Sequence, residues 1–315
     1  MPQTPSERVF TPFTKPYSMP FYYDAVSLFW NYYSVPIERV ERHLKGTGLK
    51  AARFTDLETK DHVIVSLNFQ NYMSNLGFKL ATVVEVEFNI HCYPASREQD
   101  TPLMPFKEYL MGQEQTKLIG GFRLHVPTDD ENAVKAGKLT FGERKFLTSF
   151  TFNVPVANNP NPPKGEEWPW DYTVFDKPVD ACKKKAKTPD VIYRLRANLN
   201  SLGRPVMTNP SPLTLYSLLP GGPDHPPGYG KLDVSRWNIL GRDQTWFDTD
   251  KRSWKDKNGR KQPIVRVDCG KSKHPMRKDT QNIIGNTPAC AVRYFQSAPA
   301  AIENRALWAD GPLPG

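Results

Sequence analysis

AVKAGKLTFGERKFLTSFTFNVP, residues 133 to 155, is the stretch on which the reading of this chain turns. From Arg144 to Val154 the even positions are mostly apolar (Phe146, Phe150, Phe152, Val154) and the odd ones mostly polar (Lys145, Ser149, Thr151, Asn153). That period of two predicts a half-buried strand, entered through a tight turn at Gly142-Glu143. Successive side chains on a strand leave on opposite faces, so Lys145 should point away from the phenylalanines. Whether its face meets water or a cavity decides whether the lysine is a solvated charge or a reagent.

Two further stretches repeat the pattern. In LATVVEVEFNIHCY, Leu80 to Tyr93, the residues Val84, Val86, Phe88, Ile90 and Cys92 alternate with Glu85, Glu87, Asn89 and His91. In TKLIGGFRLHV, Thr116 to Val126, the apolar Phe122, Leu124 and Val126 oppose Arg123 and His125. The intervening PTDDENAVKAG, Pro127 to Gly137, predicts an acidic turn and a helix of one to two turns. Two arrangements are open. One is an antiparallel sheet with a wet side, which the pattern alone favours. The other is a β-barrel or cone of antiparallel strands in which Glu85, Glu87, His91, Arg123, His125 and Lys145 converge on an interior.

Composition supports a mainly β chain with a few peripheral helices. The 315 residues include 30 prolines and 20 glycines against 38% hydrophobics, which suits many short strands and turns. Phe21 to Tyr33 and HVIVSLNFQNY, ending at Tyr72, read as strands. SVPIERVERHLKGTGL reads as a short helix capped by Ser34 and stopped at Gly46. We expect an extended arm over residues 1–20 and a single β domain over 21–305, with a Pro-rich excursion at 158–187 and a tail at 306–315. The segment from Lys278 to Asn304 reads as a strand followed by a terminal helix.

The net charge of +9 is spread along the chain, and its one dense run, Lys183 to Lys187, sits in a Pro- and Asp-flanked loop. Neither nucleic acid nor membrane is an expected partner; a small anion suits the charge better. Without a signal-like leader or an apolar run of spanning length, the expected location is cytoplasmic. Cys92, Cys182, Cys269 and Cys290 are far apart with no C-x-x-C pairing, so a reduced state and no metal site are expected. His43, His62 and His225 read as surface or loop residues. The motifs G-x-G-x-x-G, G-x-S-x-G and H-E-x-x-H and the P-loop do not occur.

A lysine in a dry cavity has chemistry of its own. Free lysine titrates near pKa ~10.4, but desolvation or a neighbouring cation disfavours the charged form. The neutral amine then condenses with a ketone, and the iminium takes up electrons released by a departing carboxylate without metal or organic cofactor. A carboxylate such as Glu85 could move the protons.

Ala136 to Phe146, AGKLTFGERKF, is similar to the lysine segment of the acetoacetate decarboxylase superfamily, whose Schiff-base lysine lies eight residues after a glycine, as Lys145 lies after Gly137. The preceding FRLHVPTDDENAVKAG resembles the family's strand and acidic turn. Val83-Val84-Glu85 stands in the place of its Tyr-x-Glu, and Val265 to Gly285, with His274, resembles its last strand region. The likeness runs from about Phe21 to Phe295. It implies the superfamily's β fold, no cofactor, Lys145 as nucleophile and Glu85 as acid/base. The chain departs from the family in having Arg144 and Phe146 on either side of the lysine, in place of a proline and a second lysine. Its early strand, DAVSLFW, also lacks the family's arginine, a part that Arg123 could take.

The expected activity is therefore a carboxy-lyase acting on a β-keto acid, acetoacetate-like or a larger polyketide-type acid of secondary metabolism. Arg123, His125, Glu87 and His91 would bind substrate, and the assembly would be a homo-oligomer. The alternatives are an aldolase or dehydratase using the same imine, and a non-catalytic binder of hydrophobic oxo-acids.

Overall fold

The computed structural model describes residues 16–17, 20–75, 80–155, 167–179, 189–208, 213–218, 232–239, 243–297, 301–303 and 307–309. The lysine run 183–187, Cys182, His225, nearly all of the 1–20 arm, the tail beyond 309 and much of the 158–187 excursion lie outside these residues.

Aromatic and β-branched residues dominate the long first strand, β1 (Phe21–Pro36). It is followed by β2 (Leu49–Ala51), β3 (His62–Asn75), β4 (Leu80–Pro94), β5 (Gly120–Thr128), β6 (Lys145–Leu147) and β7 (Phe150–Asn153). Then come β8 (Trp170–Phe175), β9 (Val191–Ala197), β10 (Val206–Thr208), β11 (Leu213–Leu218), β12 (Leu232–Ile239) and β13 (Asp243–Phe247). The last are β14 (Ser253–Lys255), β15 (Lys261–Pro263), β16 (Val265–Cys269), β17 (Ala289–Ser297), β18 (Ala301–Glu303) and β19 (Leu307–Trp308). Helices are short: α1 (Glu41–Leu44), α2 (Phe106–Leu110), α3 (Glu131–Phe141) and α4 (Pro275–Asp279). The fold is mainly β, as the composition predicts.

β1 is the spine. One edge pairs with β3 from Tyr23–Ser74 to Pro36–His62, and the other with β17 and, at Phe21–Tyr23, with β18. The antiparallel pairings run on from β3 to β4 and β5. β5 pairs in parallel with β11, which leads through β12 to β18 and back to β1. A second, four-stranded sheet has the order β16-β9-β8-β7.

The large sheet is buried on both faces. One face carries Phe29, Tyr33, Val65, Leu67, Phe69, Val84, Val86, Phe88 and Ile90, which share a core with Tyr172, Val174, Ile192, Tyr193 and Leu195 of the second sheet. The other face carries Val26, Leu28, Trp30 and Tyr32 from the alternate positions of β1, packed with residues of α2 and α3. The polar row of β4 lies on this second face, opposite its own valines. The commoner arrangement suggested by the alternation, a wet-sided sheet, is thus not what forms: Glu85 and Glu87 are only 2% and 1% exposed.

Three local expectations are corrected. The strand predicted over 144–154 is two strands in different sheets: β6 pairs in parallel with β5, whereas β7 pairs with β8. The chain crosses at Thr148-Ser149, where the Thr148 amide donates to the Thr128 carbonyl (2.8 Å) and its hydroxyl to that of Phe175 (2.5 Å). Ser34, predicted as a helix cap, lies within β1, its hydroxyl against His62 Nδ1 at 3.1 Å, and only a 3-10 turn (Ile37–Arg39) and the four-residue α1 follow. The predicted terminal helix is replaced by β18, whose short span is recruited to the edges of β1 and β12; the helical turns lie earlier, in α4 and the π-turn Thr280–Ile284.

Candidate active site

α3, predicted as one to two turns, runs for 11 residues, from an N-cap at Asp130, whose carboxylate accepts from Ala133 N at 2.7 Å, to Gly142, which ends it with φ of 63°. The left-handed end suits glycine and turns the chain into an extended segment. Residues 143 and 145 therefore project to the same side. They enter the chamber bounded by β4, β5 and α3. Gly137 makes room for them: a Cβ there would lie 2.2 Å from Glu143 Oε2 and 2.5 Å from Lys145 Cδ.

Inside, Lys145 Nζ is 2.9 Å from Glu85 Oε2 and 2.8 Å from Glu143 Oε2. The other oxygen of Glu143 accepts a hydrogen bond from Arg123 Nη1. Arg123 also donates to Ser217 Oγ from Nε (3.1 Å) and Nη2 (3.0 Å), and its guanidinium lies 5.8 Å from the centre of the Phe141 ring. The Tyr72 hydroxyl donates to Glu85 Oε2 at 3.0 Å, and Glu87 accepts from Asn89 Nδ2 at 3.0 Å. Removing an ion from water costs several kcal/mol after relaxation, so charges this deeply buried are tolerable only as a bonded network.

Among the described residues, the network holds three carboxylates, Glu85, Glu87 and Glu143, against two cations, Arg123 and Lys145. Burial opposes ionisation of Glu143, but Arg123 and Lys145 outweigh it and hold the carboxyl below its usual range. Burial pushes Glu85 up to about 7, in spite of Lys145, and likewise raises Glu87 against the pull of Arg123. For Lys145, burial favours the neutral amine, but Glu143 and Glu85 prevail and keep it above the ordinary lysine range. The resting lysine is an ammonium. The expectation that a dry chamber alone would leave it uncharged is corrected by the two carboxylates touching it.

The walls around Lys145 are Phe21, Tyr23, Tyr72 and Phe141, with Ala133, Ala136 and Gly137 of α3. The aromatic rings meet edge to face, Phe21 on Phe141 at 6.0 Å and Tyr23 on Tyr72 at 5.3 Å. The free cavity is about 10 Å³, the room of a single water. Any ligand must part these rings.

Of the six residues singled out in the sequence, the structure brings four together: Lys145, Glu85, Glu87 and Arg123. His91 is on the same face but six residues along β4 from Glu85, or roughly 20 Å at 3.3 Å per residue. Its ring bridges Ser66 Oγ (3.1 Å) and the Tyr109 hydroxyl (3.2 Å) beside a different cavity, lined also by Arg293. Burial pushes its imidazole down to about 3, with help from Arg293. His125 is on the opposite face. Phe88 faces His125 while Asn89 faces Arg123, so the register skips Leu124, and this bulge sends His125 outward to Asp279, 2.8 Å away. Glu143, Tyr72 and Ser217 escaped the sequence reading, and Gly137, noted only as a motif glycine, proves to be the room-maker for both side chains. The spacing of Glu143 and Lys145 was the available signal, masked by reading Gly142-Glu143 as a turn.

No protein-family model matches the sequence, and no curated protein matches it. Solved structures do. An acetoacetate decarboxylase from Legionella pneumophila superposes with a TM-score of 0.52 at 10% identity, over 98% of this chain and 91% of that one. Another structure of acetoacetate decarboxylase gives 0.51 at 10% identity, over 94% and 93%. The enduracididine biosynthesis enzyme MppR, complexed with the condensation product of pyruvate and imidazole 4-carboxaldehyde, gives 0.52 at 9% identity, over 95% and 94%. At such identities the likeness is one of architecture, and it extends along nearly the whole chain: this protein has the acetoacetate decarboxylase-like fold.

Proposed function

We propose that the protein is a cofactor-free lyase that decarboxylates a β-keto acid through an imine on Lys145. The observation that carries this reading is the buried Lys145 amine, 2.9 Å from Glu85, in a chamber walled by aromatic rings. The Lys145 ammonium gives one proton to a touching carboxylate, the freed amine adds to the ketone, and with that proton returned water leaves, giving an iminium. The bond to the carboxylate carbon then breaks, carbon dioxide departs, and the electron pair moves into the iminium to form an enamine. Glu85, whose carboxyl is lifted to about 7 and so keeps its proton below that pH, gives it to the enamine carbon, and hydrolysis returns the lysine. Arg123 holds the substrate carboxylate, and the aromatic walls suit an acid with an apolar tail.

A second reading, an aldolase or dehydratase using the same imine, is favoured by one feature. Three carboxylates around one lysine supply more proton-transfer groups than the loss of carbon dioxide needs, and the MppR likeness points the same way. Borohydride reduction with acetoacetate, pyruvate or a longer oxo-acid tests the imine: a mass increment on Lys145, lost in Lys145→Ala, is the expected result. Carbon dioxide release then separates the two chemistries. The absence of any adduct would leave a non-catalytic oxo-acid binder.

A further inference from the structure

We propose that Glu143 is a substrate-displaced latch on Lys145: its carboxylate sits where an incoming carboxylate would meet Arg123, and once displaced it takes the proton from the lysine amine. The argument begins with the two oxygens of Glu143. One accepts from Arg123 Nη1 and the other lies 2.8 Å from Lys145 Nζ, so a single carboxylate is shared by the two cations of the chamber. Gly137 shows that the position is built, since any side chain there would collide with Glu143 Oε2. Among the described residues, the titratable groups facing Glu143 are Arg123 from β5, Lys145 from β6, Glu85 and Glu87 from β4 and Tyr72 from β3; α3 brings Ala133, Ala136, Gly137 and Phe141 to the pocket, none of them charged.

The charge of Arg123 is the largest single attraction that keeps Glu143 ionised. A ligand carboxylate that takes over the guanidinium removes it and leaves a buried carboxylate beside an ammonium. Moving one proton from Nζ to Glu143 Oε2 then neutralises both, and in a medium of low dielectric the neutral pair is the less costly state. The lone pair of the amine is freed only when an acid is bound, so the latch selects oxo-acids over neutral ketones. This inference rests on the imine reading for its consequence, but not for its test.

The test compares wild type with Glu143→Gln. Borohydride trapping at neutral pH should be fast in wild type with pyruvate and slow with butanone, and acetate should accelerate the butanone reaction. In Glu143→Gln, butanone should react about tenfold faster without acetate, the gain expected from lowering the amine by about one pKa unit. Equal butanone rates in the two proteins, with no acetate effect, overturn the latch. If neither protein traps any carbonyl compound, the imine reading fails, and the latch is decided in wild type alone by the ¹⁵N signal of Lys145 Nζ. Saturating acetate should convert it from ammonium to amine, and an unchanged ammonium signal refutes the proposal. That measurement also decides the matter should Glu143→Gln not fold.

Discussion

Glu85 is the residue whose protonation state should be visible in turnover. Its carboxyl is lifted to about 7, so in the proposed mechanism, where it donates to the enamine, it is competent below that pH and loses its proton above it. We expect kcat/KM for a β-keto acid to fall with unit slope above about pH 7. Glu85→Gln should abolish that limb and lower kcat by about 10²–10⁴-fold, the usual worth of a positioned acid or base; a profile flat to pH 9 would refute the assignment. Glu85, Glu87 and Arg123 were legible in the sequence because they alternate with core residues of β4 and β5 and point inward, whereas Lys145 was picked out by an alternation that spans two strands of different sheets. His125 was not, because a bulge is a one-residue event that the side-chain pattern does not record: Phe122, Leu124 and Val126 alternate with Arg123 and His125 as though the strand were regular. Glu143 was passed over for a different reason: its i, i+2 spacing to Lys145 was hidden by reading Gly142-Glu143 as a turn, and its second partner, Arg123, comes from β5, far away in sequence.

Among the elements, α3 does most to place the chemistry, because it presses a face of small residues against Lys145. Gly137→Ala puts a methyl inside contact distance of Glu143 Oε2 and Lys145 Cδ. We expect a stability loss of about 1–3 kcal/mol from overpacking, read from urea denaturation, together with loss of the borohydride adduct at Lys145. Asp130→Ala removes the helix cap and should cost about 1 kcal/mol while sparing the adduct, which separates weakening the helix from crowding the site. The starts of these elements were easier to foresee than their ends. Asp130 and Glu131 announce α3, but its continuation to Phe141 depends on the burial of Thr140 and Phe141 in the assembled fold. The crossing at Thr148-Ser149 was likewise invisible, since Phe150 and Phe152 continue the alternation of Phe146 although they belong to another sheet.

For the whole molecule, buried ionisable groups make stability depend on pH in two opposing ways. His91 is pushed down to about 3 in the folded chain, whereas an unfolded histidine titrates near ~6.5. Its contribution is therefore complete above about pH 6.5 and is lost progressively as the pH falls toward 3, by up to ~1.4 kcal/mol per pH unit within that window. Glu85 works in the opposite sense, because a raised carboxyl stabilises the folded state most at low pH and loses that contribution as the pH rises through about 7. Between pH 6.5 and 4.5 these two slopes oppose one another, so we expect the melting temperature of wild type to change little over that window and that of His91→Gln, freed of the opposing histidine, to rise as the pH falls; an unaltered slope in His91→Gln would show that His91 does not contribute. The sheet with two buried faces has a consequence for how such a protein can change. Along β4, Val84, Val86, Phe88 and Ile90 interlock with the second layer, while Glu85, Glu87, Asn89 and His91 belong to the interior. Neighbours in the gene thus answer to separate selective pressures, and a library that randomises only the inward codons could replace the reactive groups while the framework persists.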